Sequence, residues 1–309
     1  MSIWTALPAE TVGLPAVPVL SVGNLKGGVG KTTIVANLAI SLVRAGLRVL
    51  AIDLDFQASL SIALPPNIVP RREITDGGIH VLLSENYDMF HDSQVTAMGL
   101  PPFTNLRLVR TSLELADIED KLFAAFILGE REKDARLTLA RKLADPRLAR
   151  DFDIVLIDTP PRLSIAAINA LCASTHVLVP TSLTSMSRSG AVTFVHYLTE
   201  FRKKLCPSLN LLGVLATFTT ARGTLSPGEE AALDELQRYL PADAVWRDIV
   251  IPMRQAIASN RVLEDPDCRA RFDFLAQKII LKLGLRPDGN NQSRYGYRSS
   301  QSDWPDLSQ

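Results

Sequence analysis

A chain of 309 residues, 47% hydrophobic and 21% charged, can bury one large α/β core or two small ones and has an ordinary soluble profile. Lysine plus arginine equal aspartate plus glutamate at 33 each, which excludes a global basic field and leaves any nucleic-acid binding to a local patch. Cys172, Cys206 and Cys268 form no CxxC pair, which fits free thiols in a reducing cytoplasm with a metal role as the lesser reading, and no apolar run reaches the length of a membrane span.

Residues 1–16 carry no basic region ahead of an apolar stretch, so they read as a lead-in rather than a secretory signal. The first apolar run, residues 17–22, is short, partly β-branched and stopped by Gly23, which predicts a buried strand. A glycine-rich segment follows, then a helix over residues 32–45 with Val35, Leu38, Ala39 and Leu42 on one face and Gly46 placed to end it. Residues 48–52 predict a second strand ending at Asp53, which completes a strand–loop–helix–strand unit. Residues 64–104 are broken by proline, glycine and polar positions and predict a loop-rich excursion with short helices.

Residues 106–109 predict a strand, and residues 113–143 a mostly helical stretch broken near Gly129. A near-continuous apolar strand over residues 154–157 ends in Asp158. A helix over residues 163–172 and a strand over residues 177–179, stopped by Pro180, follow. Further on come a helix over 190–204, a strand over 211–218, and a helix over 227–239 with Ser226 as cap and Glu229 completing a capping box. A last helix covers 272–283. Strands alternating with helices predict an α/β fold, a mostly parallel twisted sheet with helices on both faces. One such domain would span residues 17–284. Residues 285–309, rich in Gly, Asn, Ser and Gln, have little to bury and predict a polar, disordered tail.

The chemistry sits in Lys26-Gly27-Gly28-Val29-Gly30-Lys31-Thr32-Thr33. Glycines let the backbone curl so that successive N–H groups converge on phosphate oxygens, and the helix that begins there adds its positive end. Lys31 supplies a point charge to the β- and γ-phosphates, and the Thr32 hydroxyl is placed to ligate magnesium. The usual P-loop has its first glycine five positions before the last. Here that position is Leu25, and a second lysine, Lys26, stands beside it.

This segment resembles the signature of the deviant Walker A ATPases, the family of ParA, MinD and the nitrogenase iron protein. The resemblance implies a P-loop fold, ATP and Mg2+ as cofactors, and an ATP-dependent homodimer in which Lys26 reaches the partner's nucleotide. Asp53-Leu54-Asp55 follows the second strand, and residues two apart on a strand share a side. It resembles the family's second acidic motif, with Phe56 where proline is typical and Gln57 retained. By resemblance Asp55 positions or activates the attacking water and Asp53 supports the magnesium shell. Asp158-Thr159-Pro160-Pro161 looks like Walker B and its switch segment, with Asp158 on a magnesium-bound water.

Element order is most similar to ParA. That likeness implies binding of nonspecific DNA, a ParB-like stimulating partner, a cytoplasmic, nucleoid-associated place and no membrane. DNA contacts carried over by resemblance fall on Arg222 and Arg254, with Arg202, Lys203, Lys204 and Arg271 as further donors. A solvated helix face is the competing reading for each. Three alternatives stay open. A MinD-like membrane role would need an exposed amphipathic helix. An iron–sulfur reductase would need cysteines at a shared cluster. A non-catalytic scaffold would need inert acids.

Overall fold

The computed structural model describes residues 12–69, 78–83, 96–111, 114–128, 134–219, 225–258 and 261–287. In chain order the elements are β1 (Val19–Val22), α1 (Lys31–Arg44), β2 (Val49–Asp53), α2 (Ser59–Ala63), α3 (Ile79–Leu82), β3 (Thr96–Met98) and β4 (Leu106–Val109). There follow α4 (Glu114–Leu128), α5 (Thr138–Leu143), α6 (Leu148–Asp151), β5 (Ile154–Asp158), α7 (Ile165–Ala173), β6 (His176–Ser182) and α8 (Ser185–Lys204). The chain continues with β7 (Asn210–Thr219), α9 (Pro227–Arg238), β8 (Val245–Pro252), α10 (Gln255–Ala258) and α11 (Pro266–Leu283).

The described strands form one sheet in the order β3-β4-β2-β5-β1-β6-β7-β8, parallel throughout except where β3 runs against β4 at one edge. Alternation along each strand sends side chains to opposite faces. Val49 and Ala51 of β2 face a core built with α1 and α11, while Leu50 and Ile52 face one built with α4, α5 and α7. Val177 and Val179 of β6 meet α8 and α9 on that second side. Both faces are thus covered, as near-continuous apolar strands require. The capping box of α9 is present, with the Ser226 backbone N–H donating to Glu229 at 2.8 Å.

Five elements depart from the sequence expectations. The strand after α7 does not stop at Pro180 but runs to Ser182. β1 has ended by then, its last partner on β6 being Leu178, so the missing proline N–H falls where no ladder bond is due. On that side the Pro180 carbonyl accepts from Asn24 Nδ2 at 2.8 Å. Helix α8 starts at Ser185, ahead of Gly190, because the Thr184 side chain caps it by accepting from the Ser187 backbone. Helix α11 starts at Pro266, capped by Asp265, whose Oδ1 accepts from Asp267 and Cys268 N–H at 3.0 and 3.1 Å. Residues 245–252 form β8, and residues 96–98 form β3 within the segment read as loop.

His176, at the start of β6, sits with Nδ1 2.9 Å from Thr175 Oγ1, and burial pulls its pKa down to about 4 from 6.5. The unfolded chain therefore takes up a proton that the folded one refuses. Stability is fully present above pH 6.5 and is lost as pH falls toward 4, by about 3 kcal/mol. His176→Asn should flatten the denaturation midpoint between pH 6.5 and 4 relative to wild type; parallel slopes would contradict the assignment.

Candidate active site

β1, β5 and β2 lie side by side at the centre of the sheet, with Val22, Asp158 and Asp53 level in register at their C-terminal ends. The loop over residues 23–30 rises from this edge into α1. Gly28 and Gly30 take left-handed φ of 71° and 87°, which L side chains adopt only with strain. Gly30 also faces the Phe218 ring, which a Cβ would approach to 3.1 Å. Gly30→Ala should therefore cost about 1–2 kcal/mol from φ alone, readable as a lowered denaturation midpoint.

One side chain of the loop itself and one from a distant strand hold it. Asn24 Oδ1 accepts from the Lys26 N–H at 3.0 Å, and Thr217 Oγ1 of β7 donates to the Val29 carbonyl at 2.9 Å. Phe218, next along β7, is itself at φ 56°, beside the register shift between β7 and β8. That turn of the backbone lays its ring on Gly30.

Lys31 is buried, and its Nζ donates across the loop to the Lys26 carbonyl at 2.9 Å. Burial lowers its pKa, and the Asp158 and Asp55 carboxylates oppose that. Lys26 lies on the opposite rim, half-buried, with Nζ against Met186 Sδ at the start of α8. Gly27 and Gly28 are exposed, Val29 is buried, and Thr32 and Thr33 are half-buried at the first turn of α1.

The three acids have distinct surroundings. Asp158 is fully buried, and its Oδ2 accepts from Thr32 Oγ1 at 2.7 Å. Its Oδ1 has no hydrogen-bond partner among the described residues. Burial first, and then Asp53 beside it, push its pKa well up. Asp53 is equally buried, yet both its oxygens are taken: Oδ1 by the Asp55 N–H at 3.2 Å, Oδ2 by the Ser61 N–H and Oγ at 2.8 and 2.7 Å. Desolvation raises it to about 6 against those bonds. Asp55 Oδ1 accepts from the Gln57 N–H at 3.1 Å, and its carbonyl from Ala58 at 2.8 Å, in a tight turn with Ala58 at φ 54°.

A hard divalent cation suits this corner. Magnesium takes oxygen ligands and commonly uses one or two protein groups together with phosphate and water. Thr32 and Asp158 offer adjacent oxygens, one of them buried and without a partner. Among the described residues no group of three His, Cys, Asp or Glu makes a closed protein cage. Asp53 stands beside Asp158 in register, and both its oxygens accept hydrogen bonds, from Asp55 and Ser61.

The remaining sequence candidates are more dispersed. Arg222 lies outside the described residues. Arg254 is paired with Asp265 and Asp267, the latter at 3.1 Å. Arg202 bonds the Pro207 carbonyl, Lys203 and Lys204 share Glu200, and Arg271 reaches the Val250 carbonyl. Cys206 is buried beside Cys172 near α7 and α8, whereas Cys268 is buried on the other face. Helix α11 turns Phe272, Leu275, Ala276, Ile279 and Ile280 into the core, which accounts for its apolar pattern. No described helix is long and apolar enough to cross a membrane.

Several site residues escaped sequence reasoning: Asn24, Ser61, Thr217 and Phe218. Asn24 lies within the loop itself, just ahead of the glycine-rich motif. Ser61 lies on α2, just after the Asp53–Asp55 motif, whereas Thr217 and Phe218 come from β7, far away in the chain.

Residues 17–211 match AAA_31, an AAA domain. The chain is 34% identical over 240 residues to the chromosome-partitioning ATPase Soj of Thermus thermophilus, across 77% of this chain and 82% of that protein. It is also 34% identical over 199 residues, 64% of its length, to an uncharacterised protein of Mycobacterium tuberculosis, and spans 57% of that relative. The solved structure of cobyrinic acid a,c-diamide synthase from Mycobacterium smegmatis, with bound ATP analogue and magnesium, superposes with a TM-score of 0.65 at 26% identity, across 87% of this chain and 97% of that one. The extent of these matches places the protein in the AAA_31 family of P-loop ATPases, together with the ParA/Soj proteins.

Proposed function

We propose that the protein is a magnesium-dependent ATPase of the ParA type. It closes into a homodimer on ATP, binds DNA without sequence preference and positions a plasmid, chromosome or other cargo, with hydrolysis stimulated by a ParB-like partner. One observation carries the ATPase reading: Lys31, Thr32, Asp158 and Asp55 converge at the mouths of three adjacent strands, with a buried Asp158 oxygen left for a ligand. The relatives support it, since Soj is named a chromosome-partitioning ATPase and the M. smegmatis structure holds an ATP analogue with magnesium.

In this reading the amides of residues 27–33 cradle the phosphates and Lys31 leaves the Lys26 carbonyl for the γ-phosphate. Thr32 and Asp158 would hold magnesium, which would supply a Lewis acid toward the phosphate oxygens. Asp55 orients water for in-line attack. Lys26, whose side chain points away from the loop toward Met186, crosses to the nucleotide of a second copy. Among the described residues no arginine is placed as a cis finger, so in this reading the protein alone is slow, and a partner's stabilisation of transferring charge can add roughly a thousandfold. The place of action is the cytoplasm, on the nucleoid.

Size-exclusion with ATP should give a dimer for wild type and a monomer for Lys26→Ala; equal dimer content would remove the trans lysine. Wild type should also be retained on random duplex DNA only with ATP and lose that retention as salt rises. Retention indifferent to ATP would remove the DNA switch.

A further inference from the structure

Two segments bordering the site touch through side chains that the phosphate loop does not require. Arg162 directly follows the switch-like stretch Asp158-Thr159-Pro160-Pro161. Its Nη2 donates to Glu119 Oε2 on α4 at 2.8 Å, and its Cζ lies 5.2 Å from the centroid of the Phe56 ring. Phe56 directly follows Asp55 and occupies the position where the acidic motif typically has proline. Glu119 is buried, and its other oxygen accepts from the Ala166 N–H at 3.3 Å, in the first turn of α7.

The two ends of this contact differ in character. Arg162 is 57% exposed, so an ordinary surface pair would hold it weakly. Its partner carboxylate is only 7% exposed, however, and a buried carboxylate stripped of its cation is costly, which gives the pair a preferred arrangement. The guanidinium is also attracted to the ring face beneath it. The Asp55 turn is bonded within residues 55–58, around the left-handed Ala58, and is anchored at its start by the Asp55 N–H to Asp53 Oδ1 at 3.2 Å and the Leu54 N–H to the Asp158 carbonyl at 3.0 Å; Phe56 lies beyond those anchors.

We propose that Arg162 is a positioning residue. Clamped by Glu119 and laid over Phe56, it latches the Asp55 turn to the segment after Asp158, so that the water-positioning acid and the metal corner keep one geometry. The rigid ring and the arginine act as a pair, the ring replacing the fixed backbone a proline would supply. The catalytic half of this proposal rests on the ATPase reading above, and the mechanical half does not.

The test compares wild type, Arg162→Ala, Arg162→Lys, Phe56→Leu and the double variant Arg162→Ala/Phe56→Leu. Amide hydrogen exchange is followed at residues 55–58 in nucleotide-free protein, and kcat, KM and affinity for a fluorescent ATP analogue are measured. In Arg162→Ala exchange at 55–58 should speed up, and kcat should fall roughly ten- to hundredfold with KM and affinity unchanged. Arg162→Lys should recover part of both, and the double variant should be no slower than either single one. Unchanged exchange in Arg162→Ala, or losses that multiply in the double variant, would overturn the latch. A wild-type protein whose Arg162→Ala variant loosens residues 55–58, but which itself hydrolyses no ATP, overturns the ATPase reading and leaves the latch standing.

Discussion

Replacing Lys31 with alanine is expected to abolish ATP turnover, by roughly a thousandfold or more, while the chain still folds. The reasoning starts from where the ammonium sits. It is buried, spans the inside of the loop and is held only by the Lys26 carbonyl, with Asp158 and Asp55 nearby. Burial alone lowers its pKa, so the bare site holds this charge at a cost. A triphosphate would relieve that cost, and more so as negative charge builds on the transferring group. The variant should therefore lose both nucleotide affinity and kcat, and Lys31→Arg should not rescue it, since a planar fork is too wide for a point-charge position. Steady-state turnover alongside circular dichroism would check this. A variant hydrolysing at the wild-type rate would remove Lys31 from the mechanism.

The second large effect concerns Asp55. Its carboxylate is buried at the edge of the site and, among the described residues, engages only the Gln57 N–H, which in the proposed mechanism leaves the other oxygen for a water. Asp55→Ala should lower kcat by roughly a hundred- to a thousandfold, within the usual range for a lost general base. Unlike Lys31→Ala, it should leave ATP binding intact and even favour the closed dimer, because only hydrolysis reopens it. Binding of a fluorescent ATP analogue and single-turnover kinetics separate the two variants. Equal loss of affinity in both would mean that Asp55 shapes the pocket rather than the reaction.

The site was far more legible than the periphery of the fold. Lys26 to Thr33 announce themselves because an anion cradle needs glycines in sequence, and Asp53 and Asp158 stand out because each closes an apolar strand. The pattern could not show that Asp53 is already satisfied by Ser61, since a hydrogen bond between a strand end and the next helix leaves no periodic trace. The edge strand β8 was missed for a physical reason. Arg247 and Asp248 interrupt its apolar run, and both are exposed, as charged residues on a sheet edge commonly are. Pro180 misled because the rule against proline in a strand holds only while a neighbour demands its N–H. The early start of α11 was readable in Asp265-Pro266, a cap followed by proline at the first helical position.

The sheet order has a consequence for how the protein is made. β5 lies between β1 and β2, so the strand that fills the centre is synthesised roughly a hundred residues after the two it separates. A nascent chain that has emerged only as far as α4 holds a complete glycine loop but two unmatched inner edges and no Asp158 for Thr32 to meet. Such a half-built sheet is adhesive toward other strands and a natural client for chaperones. In the proposed reading, the corner that would hold magnesium is complete only once the ribosome has delivered residues 154–158.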